Sequence, residues 1–179
     1  MIIGLMNFTF LVVLITAITT VTFAKYESVY AELRYSADLS GFSEVPQIFS
    51  KAAGNATLHG NTTILQYEIS VEGLENATAA SIREGEETEN GPVLIILFNS
   101  TEPSNSTHVV LTSGTITNSS LQGPIEGKSL DELIKLMNQN RTYVNINTTK
   151  FPQGEFRGNI ISPGNSSVPV VSNNNASFS

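Results

Sequence analysis

The 179-residue chain contains no cysteine and no tryptophan. The first absence excludes disulfide frameworks, thiolate zinc sites, cysteine nucleophiles and a lipidated N-terminal cysteine. Histidine is almost missing too: His59 and His108 are the only two, well separated in the chain, whereas a transition-metal site draws on several imidazole or thiolate ligands. Charged residues make up 14% of the chain, below the roughly 25% of ordinary soluble proteins. Cations are the scarcer sign, with nine Lys and Arg against sixteen Asp and Glu and a formal net charge of −7. Such a chain is repelled by nucleic-acid phosphates and by anionic membrane surfaces. No G-x-S-x-G elbow, H-E-x-x-H helix, Walker loop or G-x-G-x-x-G turn occurs, so hydrolase, nucleotide and dinucleotide chemistry has no carrier and no cofactor is implied.

What is present begins with an uncharged apolar stretch, residues 1–24 (MIIGLMNFTFLVVLITAITTVTFA). It reads as a secretion signal, with small residues at Thr22 and Ala24 for a peptidase and a second cut offered by Val29-Tyr30-Ala31. No Lys or Arg precedes the apolar run. The stretch is also long enough to span a bilayer, which takes about 20 residues, so an uncleaved N-terminal anchor is the alternative and the sole membrane contact expected. Either way the rest is expected outside the cell, secreted or at its surface. N-x-[ST] triplets recur at Asn55, Asn61, Asn76, Asn99, Asn105, Asn118, Asn140, Asn147, Asn165 and Asn175. They are candidate N-glycan acceptors, although an Asn- and Thr-rich composition also produces such triplets by chance.

The length suits one domain, expected over residues 30–162. Tyr30 to Leu39 alternates as a half-buried strand, and Gly54 to Asn61 with Leu65 to Leu74 makes a hairpin. Thr78 to Ile82 and the continuous apolar run Pro92 to Phe98 flank an acidic loop, and Val109 to Leu111 with Gly114 to Ile116 adds a further strand. Ser129 to Asn140 carries Leu130, Leu133, Ile134 and Met137 at helical spacing, and Ser129 with Glu132 forms a capping-box pattern. Two short runs, Tyr143 to Thr148 and Gly154 to Ile160, are broken by Pro152 and Gly154. Residues 163–179 lose periodicity and read as a flexible Asn- and Ser-rich tail. The pattern predicts an all-β, antiparallel β-sandwich with one short inserted helix.

The order of these signals resembles the CHRD domain, the module repeated in chordin and found alone in many microbial secreted proteins. Tyr35 to Pro46 (YSADLSGFSEVP) resembles its opening strand and E-V-P turn, and Leu65 to Leu74 its L-x-Y-x-I-x-V-x-G-L strand. Thr78 to Ile82 resembles its T-x-A-H-I-H segment, and Gly91-Pro92-Val93 its G-P-V entry to the next strand. Tyr143 to Thr148 with Pro152 and Gly154 to Gly158 resembles the closing Y-V-N-V-H-T…P-x-G-E-I-R-G signature, so Glu44, Pro46, Asn145, Gly154, Glu155, Arg157 and Gly158 are the structural motif residues. The resemblance implies an immunoglobulin-like sandwich laid out like copper/zinc superoxide dismutase, no established enzymatic activity, and a role as an extracellular or cell-surface interaction module with a protein or glycan partner. Where the family carries histidines, this chain has Ser81, Arg83 and Asn147, which removes the ligands a dismutase-like metal enzyme would need.

Three sets of side chains carry the remaining chemistry. Glu84, Glu86, Glu87 and Glu89 crowd one loop and suit a calcium-binding adhesion or sensing domain, although their spacing is not that of an EF-hand. Glu155 and Arg157 lie two apart, and are expected to face one side and lock the last hairpin as an ion pair. Asn145 is expected to bond a turn or a sheet edge. No catalytic residue is assigned.

Overall fold

The computed structural model describes residues 32–162, with residues 101–109 described by their backbone alone. The signal or anchor at 1–24, the tail at 163–179, and the triplets at Asn165 and Asn175 lie outside the described residues. Among the described residues no helix is long and apolar enough to cross a membrane.

Alternation places Tyr35, Ala37 and Leu39 inward on β1 (Leu33–Ser40), and Ala56 and Leu58 inward on β2 (Ala53–Gly60). β2 forms the expected hairpin with β3 (Leu65–Glu84), pairing Gly60 with Leu65 through Ala53 with Glu72. Beyond that point β3 continues where a break was expected. Its buried residues run Leu65, Ile69 and Val71, then Leu74, then Ala77, then Ala80 and Ile82, changing parity at each step, with register shifts against β4 between Leu74 and Ala79. Gly73 (φ 69°) and Asn76 (φ 54°) supply the left-handed backbone at this bend. β4 (Val93–Ile116) likewise runs through the stretch between the strands expected at Pro92 to Phe98 and Val109 to Leu111. Two long strands therefore replace four short ones.

The long strands dictate the topology. One edge of β3 pairs first with β2 and then, from Ala77 to Glu84, with β5 (Thr142–Thr148), while β4 follows the other edge. β5 pairs with β6 (Phe156–Asn159), and β6 returns to β1 through Ser40 and Arg157. All six strands form one antiparallel sheet in the order β2-β1-β6-β5-β3-β4, closed into a five-stranded ring by the β2–β3 pairing. The all-β expectation holds. Two stacked sheets give way to one closed sheet, because β3 and β4 pass unbroken through the corner where a sandwich would divide. Ser36 and Ile161 exchange backbone hydrogen bonds at N···O 3.0 and 2.9 Å beside the β1–β6 contact that completes the ring.

The helix α1 (Leu130–Asn138) sits between β4 and β5 and adds Leu130, Leu133, Ile134, Leu136 and Met137 to the core cluster. Each buried Leu or Ile stabilises by about 1.5–3 kcal/mol. Tyr35 Oη donates to Asn138 Oδ1 at 2.9 Å and ties the helix to β1. The expected capping box at Ser129 is not formed. Asn118 takes its place, its Oδ1 accepting from the Leu130 amide at 2.8 Å, so the helix start is satisfied by a residue eleven positions before Ser129.

Candidate functional site

β5 is buried on both faces. Val144 and Ile146 enter the apolar core, which leaves Tyr143 and Asn145 on the opposite face, where Asn145 lies across from Ser81 on β3 and Arg157 on β6. Two loops cover that face: residues 41–52 between β1 and β2, and the acidic turn 85–92 between β3 and β4. Asn145 Nδ2 donates to Glu44 Oε1 at 2.8 Å. The amide is 1% exposed, so its bond to the E-V-P turn is a buried link from the sheet to the first loop.

Arg157 is fully buried, with its guanidinium 3.6 Å from the centre of the Tyr143 ring. It does not pair with Glu155. Its Nη1 donates to Glu89 O at 2.8 Å and to Asn90 Oδ1 at 3.3 Å, and its Nη2 donates to Glu86 O. Arg83 Nε adds a bond to Gly91 O at 2.9 Å, and the Gly91 amide donates to Tyr143 Oη at 3.1 Å. A planar fork of donors is suited to collecting several carbonyls at once. The turn in its place then holds the other loop, as Asn90 Nδ2 donates to Val45 O at 2.6 Å.

Glu155 precedes β6, and its carboxylate accepts from Ser50 Oγ and from Thr148 Oγ1, each at 2.8 Å. The expected Glu155–Arg157 lock is thus two separate devices, one for each loop. The motif glycines serve close packing: at Gly154 (φ 143°) an added Cβ would collide with Asn145 Nδ2 and Glu44 Oε1, and at Gly158 with the Asp38 carbonyl of β1. Pro46 is exposed and follows a cis peptide bond from Val45.

Burial pushes the Glu44 carboxyl up from its ordinary value, opposed by the Val45 amide and by the fields of Arg157 and Arg83. Burial also pulls the Arg157 guanidinium down, against the fields of Tyr143, Glu44 and Glu87. Asn145 Oδ1, Arg157 Nε and Thr142 Oγ1 are buried without a protein partner.

The acidic residues do not converge. Glu84 pairs with Arg141 at 2.9 Å, and Glu86, Glu87 and Glu89 are exposed on the turn. Among the described residues no three His, Asp or Glu side chains are placed to hold a metal ion, and the Glu86 and Glu89 carbonyls accept from Arg157. His59 is half-buried on β2.

Of the candidate glycan acceptors, Asn55, Asn76, Asn99, Asn118 and Asn140 are exposed. Asn61 is half-buried and accepts from the Thr63 and Ile64 amides. Asn147 is half-buried, with Nδ2 donating to Pro152 O at 2.7 Å, and Asn105 lies in the backbone-only part of β4.

The two loops enclose a cleft of about 660 Å³, lined among others by Asp38, Phe42, Glu44, Pro46, Glu87 and Ile161. The residue pattern gave no sign of Tyr143, Arg83 and Ser50 as loop anchors, and Phe42 was not singled out as a cleft residue. The aromatic at the loop tip was the one signal available for the latter. The family model of the CHRD domain matches residues 35–160. The chain belongs to the CHRD domain family. No curated protein and no solved structure matches it. The CHRD signature of this chain, from Glu44 through Arg157, is thereby the set of residues that anchors both loops to the sheet.

Proposed function

We propose that this CHRD domain is an exported, non-catalytic interaction module of the cell surface or extracellular space, and that it meets a protein or glycan partner with its loop end. The observation that carries the reading is where the polar signature residues spend their bonds. Arg157, Asn145 and Glu155 are all engaged in holding loops, and the loops present a cleft of about 660 Å³. A general acid or base needs a free partner within reach of a reacting group, whereas residues committed to loop carbonyls and hydroxyls pre-organise a surface. The apolar stretch at residues 1–24 and the exposed triplets support export and glycosylation.

Retention of the whole chain on the surface fraction of the producing cells tests this. The unchanged chain is expected to be retained, the double variant Phe42→Ala with Phe49→Ala to lose about tenfold or more, and Glu126→Ala, on the linker before α1, to behave as the unchanged chain. Equal retention of all three, or none at all, would overturn the reading.

A further inference from the structure

The loop end exposes three large apolar side chains. Phe42 is 56% and Phe49 is 86% exposed, stacked edge to face with ring centres 5.6 Å apart, and Ile161 across the cleft is 46% exposed. The exposure does not come from a loose loop. Ile48 N donates to Gly41 O at 2.8 Å, Ser40 Oγ accepts from the Phe42 amide at 3.2 Å, and the acidic turn grips Val45. Rings left in water forgo about 1.5–3 kcal/mol apiece that burial would return, and contiguous exposed apolar side chains of this kind mark contact surfaces.

Charge narrows the partner. Asp38 on β1 and Glu87 on the acidic turn are both exposed and both line the cleft, with Glu44 also in its lining. Neither Asp38 nor Glu87 enters an ion pair among the described residues. The nearby cations are spent elsewhere, Arg157 on the turn carbonyls and Arg83 on Gly91 O. We infer that the cleft between Asp38 and Glu87 receives a Lys or Arg side chain of a partner protein, with Phe42 and Phe49 covering the apolar residues beside it. A long basic side chain lays its methylene stem on apolar surface while its head meets carboxylates, and an aromatic ring adjoining that head adds attraction.

Other occupants match less well. A second copy docked by the same face would set its carboxylates against these. Residues 163–179 contain no Lys or Arg, and an anionic bilayer meets the same repulsion as the rest of the acidic surface.

This inference rests on the module reading, and its test separates the two. The whole chain is titrated with a short peptide carrying two Arg among Leu residues, with the same peptide carrying Glu for Arg, with a peptide of residues 163–179, and with phosphatidylserine vesicles. The Arg peptide is expected to bind, and to weaken as salt rises from about 50 to about 500 mM. Asp38→Asn with Glu87→Gln, both surface changes, is expected to cut that binding about tenfold or more at an unchanged melting temperature. Equal binding of the Glu peptide, preference for the tail peptide or vesicles, self-association through Phe49, or indifference to the double variant would each overturn it. If no peptide binds while surface retention still depends on Phe42 and Phe49, the basic partner is wrong and the module reading stands.

Discussion

Arg157 and Glu44 show what a single side chain does here. Replacing the buried guanidinium removes the donor set for three loop acceptors at once, so its role is spread over residues about seventy positions away in sequence. That is why its partner was not legible. Backbone carbonyls carry no identity in a sequence, whereas Glu155, two residues off, offered an obvious but wrong one. Glu44 gives a pH signature. Its carboxyl is raised in the folded state above the ordinary 4.5, chiefly by burial, so the folded protein holds that proton more tightly than the unfolded chain. Its contribution is full below the ordinary value and is lost as pH rises through the folded one. Glu44→Gln cannot titrate. The stability of the unchanged protein relative to this variant is therefore expected to fall as pH climbs above 4.5 and through the raised value, read as urea midpoints at each pH. Parallel curves would mean that Glu44 is not raised.

At the scale of elements, the apolar periodicity located nearly every strand and the helix, because burial on one face of each is what selects those residues. What it could not reveal was continuity. The parity changes after Val71 and after Leu74 read as strand ends, yet a bulged strand produces the same pattern when its neighbours pair through the bend. Capping is a similar case. Ser129 and Glu132 have the spacing of a capping box, but Asn118 reaches the Leu130 amide first. Asn118→Ala is accordingly expected to cost about 1 kcal/mol and Ser129→Ala about half that or less, measured by urea denaturation. The reverse order would restore Ser129 as the cap. Because Asn118 also opens a glycan triplet, a sugar on its Nδ2 leaves Oδ1 available for the helix.

For the whole molecule, the closing signature from Tyr143 to Gly158 is the most informative stretch, because its residue types and spacing alone carry the family pattern. The cleft was much less legible. Asp38, Glu87 and Ile161 come from three distant segments, and only ring closure sets them side by side. That same closure brings the first and last described strands into register, with Ser36 opposite Ile161 and Ser40 opposite Arg157. A circular permutant joining residues 162 and 32 by a short Gly/Ser linker, and opened at exposed Gly127, is expected to fold to the same melting temperature within a few degrees. Nothing lies within 4 Å of a Cβ added at Gly127. A collapse of the permutant would show that the opened linker, not the ring, organises the helix.

The pairing of Ser36 with Ile161 also has a mechanical meaning. The strands are antiparallel, so the backbone enters β1 and leaves the bridge at Ile161 from one corner. Tension applied to both leads would load the contacts in series, peeling Ser36 from Ile161 before Ser40 from Arg157, instead of shearing all of them together. Strung between two anchors, such a domain would act as a clasp that opens from its corner, and the peeling would pass buried Ile160 before it reaches the arginine holding the acidic turn.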